Sequence, residues 1–215
     1  MQPYVVRQGD YLAQIAHRRG FSAEEVWNHP LNAELRERRG SHDILHPGDI
    51  LQVPVGREGW SPRPLSSGGE HHFTARVTTI EIKLVLHRAD RTVIANAPFR
   101  VDGLGPQPFE GETDGAGLAL FEVPVHVREV AVSLAGEGLD YRVRIGRLDP
   151  AGEPSGVAKR LAHLGYLAPI GHDETPCPEA LVSDAVSAFQ EAQGLAVTGT
   201  VDDATRDALV AAHGS

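Results

Sequence analysis

Ala185-Val186-Ser187-Ala188-Phe189-Gln190-Glu191-Ala192-Gln193-Gly194-Leu195-Ala196-Val197-Thr198-Gly199-Thr200-Val201-Asp202-Asp203-Ala204-Thr205 reads as the end of one helix, a turn and the start of the next. Leu181, Val182, Val186 and Phe189 recur at helical spacing ahead of Gly194, a residue type that closes helices in the left-handed conformation. Asp202 is placed to cap a further helix carrying Ala204, Ala208 and Leu209, since its carboxylate can accept from a first-turn N–H. Upstream, Val157, Leu161 and Leu164 mark a third helix that starts near Ser155 and stops at Gly165, with Tyr166 and Leu167 following. Between these helices lies an irregular stretch from Ala168 to Ala180 containing Pro169, Pro176 and Pro178. Residues 155–215 therefore predict a small three-helix bundle.

Outward from this block the periodicity changes. Residues 73–148 alternate, with Ile80, Ile82, Leu84 and Leu86 on one face and Glu81, Lys83 and Val85 on the other. Further strand-like runs lie at Thr92–Ala97, Phe99–Val101, Leu118–Val123, Glu129–Leu134 and Tyr141–Ile145, and Asp114-Gly115 supplies a hairpin turn. Regular short strands with Gly and Pro turns predict an antiparallel β-sandwich. Residues 57–72 hold Gly59, Pro62, Pro64, Ser66, Ser67, Gly68 and Gly69 with few apolar side chains, the composition of a linker. Residues 1–56 begin with a strand at Tyr4–Arg7, a turn at Gly9, and Asp10 as cap of a helix from Tyr11 that buries Leu12, Ile15 and Ala16 and stops at Gly20. Ser22-Ala23-Glu24-Glu25 is a capping box opening a second helix, which Pro30 ends and whose Trp27 fills the core. Asn32–Arg39 adds a short charged turn, and Ile50–Pro54 closes the unit as a strand, giving βααβ. The fold class is multidomain α+β.

Three resemblances follow from these motifs. Tyr4-Val5-Val6-Arg7-Gln8-Gly9-Asp10-Tyr11-Leu12 and Pro47-Gly48-Asp49-Ile50-Leu51-Gln52-Val53-Pro54 resemble the opening and closing motifs of a LysM domain, with Tyr11 where Thr or Ser is usual and a longer stretch from His29 to Asp43. Glu112-Thr113-Asp114-Gly115-Ala116-Gly117-Leu118-Ala119-Leu120-Phe121-Glu122-Val123-Pro124 resembles the hairpin of transthyretin-like and immunoglobulin-like bacterial modules. Arg160-Leu161-Ala162-His163-Leu164-Gly165-Tyr166-Leu167 together with 185–205 resembles the peptidoglycan-binding domain found beside many wall hydrolases, though Ala168–Ala180 replaces that family's glycine-and-aspartate loop. The module order resembles accessory proteins of bacterial contractile injection and type VI secretion systems.

By resemblance, the amino-terminal glycan site lies between Gly9, Asp10, Tyr11, Leu12 and Ile44, Leu45, His46, Pro47, Gly48, with backbone amides meeting N-acetyl groups and Tyr11 stacking on a sugar. Turn-making alone explains Gly9 and Pro47-Gly48 equally well. Tyr166 is the candidate contact of the last block, and its neighbours Leu164 and Leu167 make a core role an equal alternative.

No catalytic set is legible. His71 and His72 are adjacent in the linker, His42 and His46 lack a third ligand, and no His-Glu-x-x-His helix occurs, so neither a metal nor another cofactor is expected. Cys177, in Thr175-Pro176-Cys177-Pro178, lacks the histidine context of a wall peptidase, and as a single cysteine it excludes an internal disulfide. A net charge of −9 with 20 basic residues argues against nucleic acid and anionic membranes as partners, and no apolar run is long enough for a transmembrane helix. Met1-Gln2-Pro3-Tyr4 passes directly into patterned sequence with no visible Sec signal. The expectation is a monomeric, non-enzymatic protein that binds peptidoglycan or another N-acetylglucosamine-containing glycan in the cell envelope or periplasm. The alternative is a cytoplasmic structural adaptor whose modules contact secretion-machine or wall-hydrolase proteins.

Overall fold

The computed structural model describes residues 1–39, 41–55, 67–70, 72, 77–168 and 177–214. Most of the expected linker, the start of the sandwich at Phe73, and Pro169 and Pro176 lie outside the described residues. The chain divides into two compact units, one of Met1–Glu81 with Glu122–Arg128 and the other of Ile82–Phe121 with Glu129–Ser215.

In the first unit, strand β1 (Gln2–Val5) pairs antiparallel with β2 (Ile50–Val53), Gln2 opposite Val53 and Val5 opposite Ile50. Three helices lie between them in the chain: α1 (Leu12–Arg18), α2 (Ala23–Trp27) and α3 (Ala33–Arg39), the last entered through a 3-10 turn at Pro30–Asn32. β1 begins two residues earlier than expected, and the charged turn after Asn32 is a helix in its own right. Leu12, Ile15 and Ala16 form the buried stripe of α1 and join Val26, Trp27, Leu35, Leu45, Leu51 and Val53 in one core. Ser22 caps α2, its Oγ accepting from Glu25 N–H at 3.1 Å. Asn32 is buried and stitches this core together: its amide donates to the Val26 and Gln52 carbonyls, and its Oδ1 accepts from Gln52 N–H at 2.7 Å.

The unit boundary crosses strands β3 (Thr79–Val85) and β6 (Leu118–Pro124), which pair with each other. Leu86 N–H donates to the Gly117 carbonyl, and Val125 N–H donates to the Thr78 carbonyl, so the pair runs antiparallel. The expected alternation of Ile80, Ile82 and Leu84 inward against Glu81, Lys83 and Val85 outward is present. A second sheet has the order β5-β4-β7-β8, from Phe109–Glu112, Pro98–Asp102, Glu129–Leu134 and Leu139–Arg144. Phe99 of β4, Phe109 of β5 and Phe121 of β6 meet with ring centroids 6.0–6.4 Å apart, an aromatic contact between the two sheets.

Two expectations in this region are corrected. Thr92–Ala97 makes only an isolated bridge at Val93 with His87, because Arg91 and Asn96 turn the backbone with φ of 67° and 50°. Asp114-Gly115 does not close a hairpin between paired strands, since β5 and β6 belong to different sheets. Asp114 instead accepts from Ala116 N–H and Leu118 N–H, and Gly117, at φ +77°, supplies the left-handed residue. A Cβ at Gly117 would also stand 3.1 Å from the Leu86 carbonyl oxygen.

The carboxy-terminal helices are α4 (Pro154–His163), α5 (Glu179–Ala192) and α6 (Asp203–His213). Gly165 and Gly194 follow α4 and α5 at φ +75° and +67°, and Asp202 caps α6 by accepting from Thr205 N–H at 2.8 Å. Val157, Leu161, Ala185, Val186, Phe189 and Leu209 make the shared core. Leu181 and Ala204, expected in it, are exposed. The segment leading into α4 is fastened to it: Lys159 Nζ donates to Asp149 Oδ2 and the Arg147 carbonyl, and buried Arg160 donates to the carbonyls of Asp149 and Gly156. Burial pulls the Arg160 guanidinium down to about 10, against the pull of Asp149.

Candidate functional site

At the amino-terminal module the two expected loops are brought together. Gly48 N–H donates to the Val6 carbonyl and Val6 N–H to the Asp49 carbonyl, so the His46–Asp49 turn lies beside the strand end that leads into Gly9. Gly9 and Gly48 both take positive φ, 83° and 94°. Ile44, His46 and Pro47 are half-buried and Gly48 is exposed, whereas Asp10, Tyr11, Leu12 and Leu45 are buried.

The buried members have internal work. Asp10 does not cap α1: its Oδ2 accepts from Tyr4 Oη at 2.6 Å and Arg7 N–H at 3.0 Å, holding the turn around Gly9. Asp49 does the same for the facing turn. Its carboxylate accepts from Arg39 Nε, an Arg39 terminal nitrogen and His46 N–H, and although burial pushes its pKa up, those bonds and the Arg39 and Arg38 charges hold it below the usual carboxylate value. The Tyr11 ring is 5% exposed, and its hydroxyl donates to the Val125 carbonyl at 2.8 Å, joined there by Gln14 Nε2 at 3.0 Å. Burial raises the Tyr11 pKa, with Arg18 and Arg128 opposing. The expectation that Tyr11 offers an open ring to a sugar is therefore corrected: its ring is covered and its hydroxyl already bonded.

In the carboxy-terminal block Tyr166 takes the core role foreseen as one of its two alternatives. Its ring meets Phe189 edge-on at 5.4 Å, packs against the helical core, and remains partly exposed. It also borders two shallow depressions, one lined by Leu167, Ala168, Leu181 and Asp184, the other by Arg91, Leu164, Phe189 and Gln193.

Gln190 escaped the sequence reading. It is wholly buried, its Oε1 accepts from Thr198 and Gly199 N–H at 2.9 and 3.0 Å, and its Nε2 donates to Thr198 Oγ1, the Thr200 carbonyl and Thr205 Oγ1. One amide thus shapes the whole α5–α6 turn. The signal available was a glutamine directly after Phe189 on the apolar stripe, a position where a polar side chain must find partners.

Among the described residues no group of three or more His, Cys, Asp or Glu side chains could hold a metal ion. His42 pairs with Asp43 at 2.8 Å and His72 with Glu70 at 3.4 Å, while His71 lies outside the described residues. Cys177 packs against the helical core, with Sγ 3.7 Å from the Pro178 carbonyl oxygen. Among the described residues no helix is long and apolar enough to cross a membrane.

Residues 156–209 match the model of a family described as "Putative peptidoglycan binding domain". No curated protein and no solved structure matches the chain. The match coincides with the three-helix block, from the first turn of α4 into α6, and so covers the core, the Gln190 turn and Tyr166.

Proposed function

We propose that the protein binds peptidoglycan at the cell envelope without doing chemistry on it, and that the three-helix block is the principal contact. The observation that carries this reading is the family match over 156–209, which falls on a folded block with Tyr166 between two depressions. Peptidoglycan presents apolar and polar groups side by side, which aromatic and apolar walls with a few polar groups recognise, the make-up of these depressions.

The LysM-like amino-terminal module is a second wall contact in this reading, acting through backbone groups of Gly9 and Pro47-Gly48 rather than through the Tyr11 ring. The β-sandwich holds the two modules on one chain.

Sedimentation of the intact chain with purified sacculi at low salt tests the proposal. The protein is expected in the pellet, with no labelled fragments released. Protein left in the supernatant would remove wall binding and leave the adaptor.

A further inference from the structure

Of the two depressions beside Tyr166, the one formed with the 87–93 turn has a chemistry that the family match does not cover. Arg91 lies outside 156–209, in the turn between β3 and β4. Its backbone is held at φ 67°, a left-handed conformation that non-glycine residues rarely adopt. Asp90 stabilises this turn, its Oδ1 accepting from Thr92 N–H at 3.0 Å and Thr92 Oγ1 at 2.6 Å. The Asp90 carboxylate is thereby directed to Thr92.

The strained turn places the Arg91 guanidinium 4.6 Å from the centre of the Tyr166 ring. Gly165 makes room for it, since a Cβ there would stand 3.3 Å from Arg91 Cγ. Arg91 is exposed and, among the described residues, has no carboxylate partner, in a chain of net charge −9 where Arg88, Arg100 and Arg144 each have one. Around it stand His87 and Gln193 as polar groups and Leu164, Tyr166 and Phe189 as apolar wall, enclosing about 200 Å³. That is below the roughly 300–1,000 Å³ of pockets that engulf a drug-sized ligand, so the depression suits a chain end with a small side chain and not a disaccharide.

We infer that this depression receives the terminal carboxylate of a peptidoglycan stem peptide, with Arg91 as the charged contact and Tyr166 and Leu164 against the terminal methyl group. The inference rests on the wall-binding proposal and specifies which part of the polymer this site reads. A planar guanidinium matches a carboxylate with two parallel hydrogen bonds, and the ring beneath it keeps the guanidinium plane oriented.

The test uses the full chain and diacetyl-Lys-D-Ala-D-Ala, with its carboxylate free or converted to the amide, titrated by NMR or calorimetry. The free acid should bind roughly tenfold more tightly than the amide, the scale of one charge-assisted contact. Arg91→Gln should abolish that preference, and Arg91→Lys should keep part of it. Because Arg91 is exposed, both variants should retain the wild-type circular dichroism. Equal binding of acid and amide, an acid preference that survives in Arg91→Gln, or no binding of either peptide would overturn the inference. Retention on sacculi, measured alongside, separates the two levels: a chain that pellets with sacculi but ignores the carboxylate loses only this assignment. A chain that fails to pellet loses the underlying reading.

Discussion

Replacing Gln190 with Met keeps the length and volume of a wholly buried side chain and removes five hydrogen bonds at once. The two threonine hydroxyls lose a donor but can still donate elsewhere, so the lasting loss falls on Thr198 N–H, Gly199 N–H and the Thr200 carbonyl. A buried polar group left unpaired costs about 1–3 kcal/mol. Thr198 and Thr200 lie near solvent and Gly199 is half-buried, so each takes the low end and the sum is about 3 kcal/mol. A helical block of this size has roughly 3–9 kcal/mol to lose at typical stability per residue.

Gln190→Met should therefore bring the block close to its unfolding midpoint while the remainder of the chain stays folded. Hydrogen exchange followed by mass spectrometry on the intact protein reads this directly, because a multidomain chain has no single unfolding free energy. Peptides from α4, α5 and α6 should lose protection by two orders of magnitude or more, as about 3 kcal/mol implies, and those from β1 and β2 should not. Gln190→Glu sharpens the test. Its carboxylate can still accept from the two N–H groups but turns an oxygen toward the Thr200 carbonyl, so the loss should shrink as pH falls and the acid protonates. Unchanged protection of Thr198 and Gly199 in the Met variant would refute the assignment of the turn to this amide.

Four further outcomes follow from the geometry. Gly156→Ala puts a Cβ 1.9 Å from the Pro150 carbonyl oxygen and 2.6 Å from that of Asp149, so it should cost about 3 kcal/mol or more and expose α4 to exchange. His163 Nδ1 and His213 Nε2 stand 2.9 Å apart and tie α4 to α6; burial lowers both pKa values, His213 to about 4, with neighbouring positive charge adding to it. The unfolded chain then binds protons more readily between about 6.5 and about 4, so stability should be full above that window and fall as pH drops through it, with a gentle slope because His163 keeps an exposed edge. A melting midpoint equally pH-dependent in His213→Gln would contradict this. Asp49→Asn breaks a buried pair with Arg39 and should cost about 3–5 kcal/mol, seen as lost exchange protection across residues 46–53. Finally, the whole chain should be retained on sacculi more strongly than 1–56 or 147–215 alone, the second fragment starting at Arg147 to keep the Lys159 anchor; equal retention would remove the avidity expected of tethered modules.

The elements legible in the sequence are those set by periodicity and backbone conformation alone. Leu12, Ile15 and Ala16, the β3 alternation, Gly165, Gly194 and the Asp202 cap are local signals, and each appears where its pattern puts it. What stayed hidden depends on partners distant in sequence. Nothing local tells that Asn32 will bond Gln52, that Tyr11 will meet Val125, or that β5 and β6 will join different sheets on either side of Asp114. Arg91 was invisible for the same reason: its surroundings are assembled from a β turn and a helical block more than seventy residues apart in the chain.

A side chain that recognises a ligand must keep bonding capacity that folding has not used. By that measure the acidic and aromatic residues of the amino-terminal loops are frame, because Asp10, Asp49 and Tyr11 each have their polar atoms directed inward to Tyr4 and Arg7, to Arg39 and His46, and to Val125. What those loops leave open is the Gly9 backbone and the Pro47 and Gly48 carbonyls, since Gly48 N–H is given to Val6, and such groups suit uncharged N-acetyl groups. At the other end Gln190 is likewise frame, and the capacity left over is the Arg91 guanidinium with Gln193 beside it. Under the proposed wall-binding role the two ends would therefore differ in what they read, neutral sugar at one and a charged peptide end at the other. A single chain carrying both would hold best to wall that presents both on one strand, so stripping stem peptides from sacculi should weaken retention through the Arg91 end and leave the Gly9 end untouched.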